Sequence, residues 1–166
     1  AGSHVKPDDA SPRWYHDGEG NTANPNGHII RWKETGATAF GWDIYLFGAE
    51  NDAAADVNLS GLTAVNDFSS PDGACFDPRG VLWIETDDGA YTDVTNCMLL
   101  AALPGKVGDG GPATAVGGTA TIKGANATAD NLRRFLVGPK DCEITGFAMT
   151  PDAKTMFINV QHPGEN

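Results

Sequence analysis

The sequence predicts an all-β fold assembled from repeated antiparallel hairpins, and three observations carry that prediction. First, Ser69–Asp88, SSPDGACFDPRGVLWIETDD, reads as a strand, a tight turn and a second strand. Second, the same design recurs from Glu143 to Gln161, EITGFAMTPDAKTMFINVQ. Setting Gly73 on Gly146 puts Pro78 on Pro151, and one extra turn residue then puts Trp83 on Phe157 and Glu85 on Asn159. Third, 21 glycines and 10 prolines in 166 residues favour many turns over long helices.

Taken in order, residues 1–27 are rich in Pro, Gly, Asn, Asp and Ser without an apolar period and read as a long loop, pinned by Trp14 and Tyr15. The opening Ala1-Gly-Ser-His4 lacks a signal-peptide pattern and reads as the start of an excised piece. His28–Trp32 is a strand, Lys33–Gly36 a turn, and Thr38–Phe47 a second strand dense in aromatic and β-branched residues. Gly48–Asp67 is a polar, alanine-rich connector. In the hairpin that follows, Asp77-Pro-Arg-Gly80 is a type I turn with Pro78 presetting φ at its second position. Residues 89–95 form a turn, and Asn96–Leu103, NCMLLAAL, suits a strand, with a helix as the alternative. Pro104–Asp130, built mainly of Gly, Ala and Thr, reads as a long surface loop. Asn131–Val137 is a strand in which only one of Arg133 and Arg134 can face inward.

The strands thus come as two, then four, then two. A repeated four-stranded antiparallel unit is the signature of a β-propeller blade. On this reading 28–47 is a half blade supplying the outer two strands of one blade, 69–137 is a complete blade, and 143–161 is the inner half of the next. A β-sandwich of the same eight strands is the rival, and the recurring hairpin entry favours the propeller.

Composition narrows the function. A net charge of −11 argues against nucleic acid, which needs clustered Lys and Arg. No run approaches the ~18 apolar residues of a membrane span. The acidic balance fits either a solvated surface or carboxylates gathered for hard cations. None of Cys75, Cys97 and Cys142 sits in a C-x-x-C, so a structural zinc site is not indicated. Cys75, inside an apolar run, reads as a buried small hydrophobe; Cys142 immediately precedes a carboxylate at the mouth of a strand.

In a propeller the innermost strand of each blade starts at the central channel. Asp72 lies directly before Gly73, and Glu143 three residues before Gly146 and level with Ser70 in the repeat, so the two carboxylates can converge from neighbouring inner strands. Thr145, aligned with Asp72, is a weaker candidate. The plainer reading makes Asp72 a turn cap and leaves Glu143 in solvent. Glu85 and Asp87 are expected at the opposite rim, solvated, Arg79 in the turn, and His162 exposed.

SSPDGACFDPRGVLWIETD, a run ending LRRFLVGP, and CEITGFAMTPDAKTMFINVQHPGE, preceded by GHIIRW and WDIYLF, resemble the C-terminal half of the PhoX family of bacterial alkaline phosphatases. The resemblance covers the chain from Asn24 to its end. It implies a six-bladed propeller exported to the periplasm, hydrolysing phosphate monoesters at a cluster of Ca2+ and Fe3+ ions in the channel. It also implies metal-binding carboxylates at the inner-strand entries, which favours Asp72 and Glu143 as ligands, with Ser70, Thr145 and Cys142 behind them. The family's Arg-Pro-Glu hairpin and its thiolate iron ligand have no counterpart in this sequence. One copy is therefore expected to need further blades, from another chain or by self-association of 143–161 with 28–47 of a second copy. Two other readings share these residues: a lactonase-type propeller enzyme with one divalent ion, and a non-catalytic propeller module.

Overall fold

The computed structural model describes residues 26–87, 96–115 and 118–164. The loop expected over 1–27, with Trp14 and Tyr15, falls outside them but for its last two residues, and the turn expected at 89–95 lies outside altogether. The described residues form ten strands: β1 (His28–Gly36), β2 (Ala39–Phe47), β3 (Pro71–Phe76), β4 (Leu82–Thr86), β5 (Met98–Ala102), β6 (Gly111–Ala115), β7 (Thr119–Lys123), β8 (Leu132–Val137), β9 (Glu143–Met149) and β10 (Met156–Gln161). They make three sheets, β1-β2-β7-β6, β3-β4-β5-β8 and β10-β9.

Alternation along the central strands explains how the sheets stack. On β4, Leu82 and Ile84 enter one apolar cluster while Trp83 between them enters another. On β5, Met98, Leu100 and Ala102 join the first cluster and Leu99 joins the second. Successive side chains on a strand point to opposite faces, so the sheet β3-β4-β5-β8 is buried on both. The first cluster is completed by Ile44, Leu46 and Phe47 of β2, with Phe68. The second is completed by Ile144 with Phe147, Met149, Met156 and Ile158 of β9 and β10. Three layers packed face to face, with a core in each gap, is how neighbouring blades of a β-propeller meet, and the chain is part of such a propeller. Each fully buried Leu, Ile or Phe contributes about 1.5–3 kcal/mol.

Local chemistry fixes the first hairpin. Asp77 accepts hydrogen bonds from the N–H groups of Arg79 (2.8 Å) and Val81 (3.1 Å), and the Gly80 N–H closes the turn onto the Asp77 carbonyl at 2.9 Å. Of the adjacent arginines, Arg134 turns inward onto Asp67 at 2.5 Å, while Arg133 stays exposed.

Three expectations are corrected. The turn at Lys33–Gly36 is strand: β1 runs on to Gly36, which pairs with Ala39 across a two-residue turn. Charged Lys33 and Glu34 mark an exposed stretch of strand, not its end. The surface loop at 104–130 contains the β6–β7 hairpin, and β7 joins β2 in parallel through Ile44 and Lys123. A salt-bridge network pins it: Arg31 bonds Asp43 (2.5 Å) and Asp109 (3.0 Å), and Asp43 accepts from the Gly108 N–H at 2.6 Å. Cys75 is exposed, because β3 is an edge strand and its apolar run faces outward beyond Gly73.

Candidate functional site

Antiparallel pairing decides which residues meet. In the first hairpin Pro71 pairs with Thr86, so the start of β3 and the end of β4 share one rim. In the second, Glu143 pairs with Gln161, which brings His162 beside the start of β9. β9 packs across β4 and β3, and the two rims become one. Asp87, Glu143 and His162 each offer a ligand atom, all within 4.8 Å of one another. His162 Nε2 stands 3.6 Å from Glu143 Oε2, with the two side chains 25% and 12% exposed.

The ends of the hairpins are tied down. The Asp87 N–H donates to the carbonyl of Ser70 at 3.1 Å, and the Ser70 N–H donates to Asn26 at 2.9 Å. Ser70 adopts a left-handed φ of 48° and His162 one of 33°, conformations that non-glycine residues hold only where the surroundings enforce them. The Gly164 N–H donates to Lys140 at 3.0 Å, folding the segment after β10 back onto the one before β9.

The site is electrostatically crowded. Burial raises the Glu143 pKa, Asp87 and then Asp72 raise it further, and His162 opposes them. Glu85 is 8% exposed. Burial raises its pKa too, with Asp72 adding to the shift and the backbone amides of Phe147 and Gly146 opposing it. Asp72 thus acts on both buried carboxylates, although its own side chain is exposed.

Two residues central to this arrangement, Asp87 and His162, were expected to be solvated, and Glu85 was expected at the far rim. The correction is geometric: the second strand of a tight hairpin returns to the level where the first began. That rule alone, applied to Asp72 and Asp87, could have found the pair. Thr145 lies on β9 opposite Asn159, half-buried, and Ser70 is buried at the entry to β3. Cys142 turns away from the rim into the second core, where a Cβ on Gly138 would overlap its Sγ.

Oxygens bound at about 2.3–2.6 Å to one calcium lie no more than about 5 Å apart. The spread of Asp87, Glu143 and His162 falls within that span, and a buried Glu143 raised further by neighbouring carboxylates fits a hard cation. An iron held through a thiolate does not fit these residues. Cys97 and Cys142 lie in the core, and Cys75 is on the exposed face of β3.

Residues 5–164 match the family model described as alkaline phosphatase PhoX. The chain is similar to a solved structure described as Pseudomonas fluorescens PhoX in complex with vanadate, a transition state analogue. The likeness has 30% identity and a TM-score of 0.61, over 89% of this chain and 25% of that one. The chain thus spans a quarter of the length of that relative. No curated protein matches it.

Proposed function

The chain belongs to the PhoX family of alkaline phosphatases, and from that premise we propose that it supplies one wall of a cation site at which a phosphate monoester is hydrolysed. The observation that carries this reading is the convergence of Asp87, Glu143 and His162 within 4.8 Å, with Asp72 close enough to raise Glu143. Glu143 and Asp87 would hold a calcium ion, with Asp72 beside them. When bound, the ion polarises phosphoryl oxygens and neutralises charge for attack by water. It also draws an anionic ester to a chain whose own charge is −11. His162, 3.6 Å from Glu143, would orient that carboxylate. The compartment we assign is the bacterial periplasm.

In this reading β3-β4-β5-β8 is one complete blade, β1 and β2, extended beyond β2 by β7 and β6, are the outer part of the blade before it, and β9 and β10 are the inner strands of the blade after it. Further blades then complete the channel. Exposed apolar side chains support this: Trp32 is 66% exposed, Phe76 61% and Phe157 59%. A cavity of about 420 Å³ between β1 and β3, lined by Ile30, Trp32, Tyr45 and Phe76, has room for packing from another layer.

The test has two parts. Calorimetric titration with Ca2+ should show binding that Glu143→Gln weakens by at least about tenfold, while circular dichroism stays native. The chain alone, loaded with Ca2+, should turn over an aryl phosphate barely above background. No calcium binding would overturn the site, and robust turnover would show that the reaction needs nothing beyond this chain.

A further inference from the structure

Glu85 is the least expected side chain in the molecule. It is nine-tenths buried, and its Oε1 has no hydrogen-bond partner among the described residues. Its other oxygen occupies the space where a side chain at position 73 would begin: a Cβ on Gly73 would overlap Glu85 Oε2. The register of β3 against β4 breaks between Pro71 and Ala74, so Asp72 and Gly73 form a bulge, and Glu85 fills it. From the same position its carboxylate faces the backbone amides of Gly146 and Phe147 on β9.

The second hairpin repeats half of this device. Its register breaks between Ile158 and Asn159, Gly146 takes a φ of 61°, and Asn159 Nδ2 lies 2.6 Å from where a Cβ on Gly146 would be. Asn159 is the residue aligned with Glu85. A shorter side chain therefore suffices to fill a bulge, and filling alone does not account for the longer Glu at position 85. What distinguishes Glu85 is its place: it fills the bulge that carries Asp72, on the strand across which β9 packs, with the amides of Gly146 and Phe147 toward its carboxylate.

We propose that Glu85 is a positioning residue that ties the start of β3 to β9 and so sets the span between Asp72 and Glu143. The inference rests on the reading of those two carboxylates as cation ligands. Glu85 is seated on Gly73 of β3 while its own strand, β4, carries β9 packed across it, so a shift of either strand disturbs its seat. Outer partners of this kind orient ligands and are worth about 10–100-fold in metal affinity.

Three variants of the full chain test this. Glu85→Ala should speed hydrogen exchange at the Gly146 and Phe147 amides and weaken Ca2+ binding by about 10–100-fold. Glu85→Gln retains an acceptor oxygen and should keep both properties near native values. Leu132→Ala, in the first core and away from β9, should lower the unfolding midpoint without changing either readout. Native exchange at Gly146 and Phe147 in Glu85→Ala would overturn the proposal, as would equal loss of Ca2+ affinity in Leu132→Ala. If the unmodified chain binds no Ca2+, the cation reading fails by itself, and amide exchange still decides whether Glu85 ties the strands.

Discussion

Replacing Trp83 by Ala should detach β9 and β10 from the rest of the molecule. Trp83 is 4% exposed at the centre of the second core. It stacks on Phe147 at 5.1 Å and 17°, meets Phe135 edge-on at 4.9 Å and 82°, and donates from Nε1 to Asp77 at 3.3 Å. Truncating a buried Trp to Ala costs about 3–5 kcal/mol, of which each aromatic pair accounts for about 0.5–1.5. A domain has about 5–15 kcal/mol in all, so the loss is large. It should also be local, because a two-stranded hairpin has little stability of its own and Trp83 of the central sheet stacks directly on its Phe147. Trp83→Phe keeps the ring but loses the donor to Asp77, and should cost about 1–3 kcal/mol. Urea unfolding measures the totals, and hydrogen exchange by mass spectrometry reads where protection goes. The expected pattern is loss over 143–149 and 156–161 with β5 and β8 still protected. A uniform loss across all strands, or a cost below about 1 kcal/mol, would refute the layered account.

Two further outcomes follow from the same contacts. Burial alone would raise the Asp77 pKa, but hydrogen bonds from Arg79, Val81 and Trp83 overcome it and hold the group down to about 2 from an ordinary 3.8. A depressed carboxylate stabilises the fold above its unfolded pKa, and that contribution disappears as pH falls through the folded value. The urea midpoint should therefore drop between about pH 4 and pH 2 in the native chain and stay flatter in Asp77→Asn; parallel curves would dismiss the turn as a source of acid sensitivity. Gly146→Ala should cost about 1–3 kcal/mol for a left-handed φ in a non-glycine residue, part of it recovered in Gly146→Ala/Asn159→Ala, where the overlapping amide is gone. A Gly146→Ala chain as stable as the native one would remove the bulge argument.

The two hairpins, the central strands and the equivalence of Gly73 and Gly146, each at a register break of its hairpin, were legible because their apolar contrast is strong and their turns carry Pro and Gly. The β6–β7 hairpin was not. GPATA and TATIK have almost no apolar alternation, and their strand character comes from partners far away in sequence, through β2 and the Arg31–Asp43–Asp109 network. Cys75 misled for the opposite reason: the run around it is apolar, but whether a strand lies at an edge is a property of the sheet. At the rim, the place of Asp72 and Glu143 before the glycines pointed to the starts of β3 and β9, where the structure has them. Asp87 and His162 follow strand ends, where polar residues are ordinary, and only the packing of one hairpin on the other gives them a shared position.

The same packing explains how carboxylates can be crowded at the rim without drifting apart. Glu143 is flanked by Cys142 and Ile144, each 1% exposed in the second core. Alternation then leaves the Glu143 side chain no direction except the face opposite theirs. Asp87 follows Thr86, which is 2% exposed and bonded through its hydroxyl to the backbone of Met98, accepting from that N–H at 2.8 Å. Each rim carboxylate is therefore held by an immediate neighbour that cannot leave the core. Burial, then repulsion from Asp87 and Asp72, raises Glu143, and the apolar packing of the neighbouring residues holds the acidic groups in place. On the proposed reading a cation entering such a rim would meet ligands already gathered, and its binding free energy would go to coordination and not to ordering the strands.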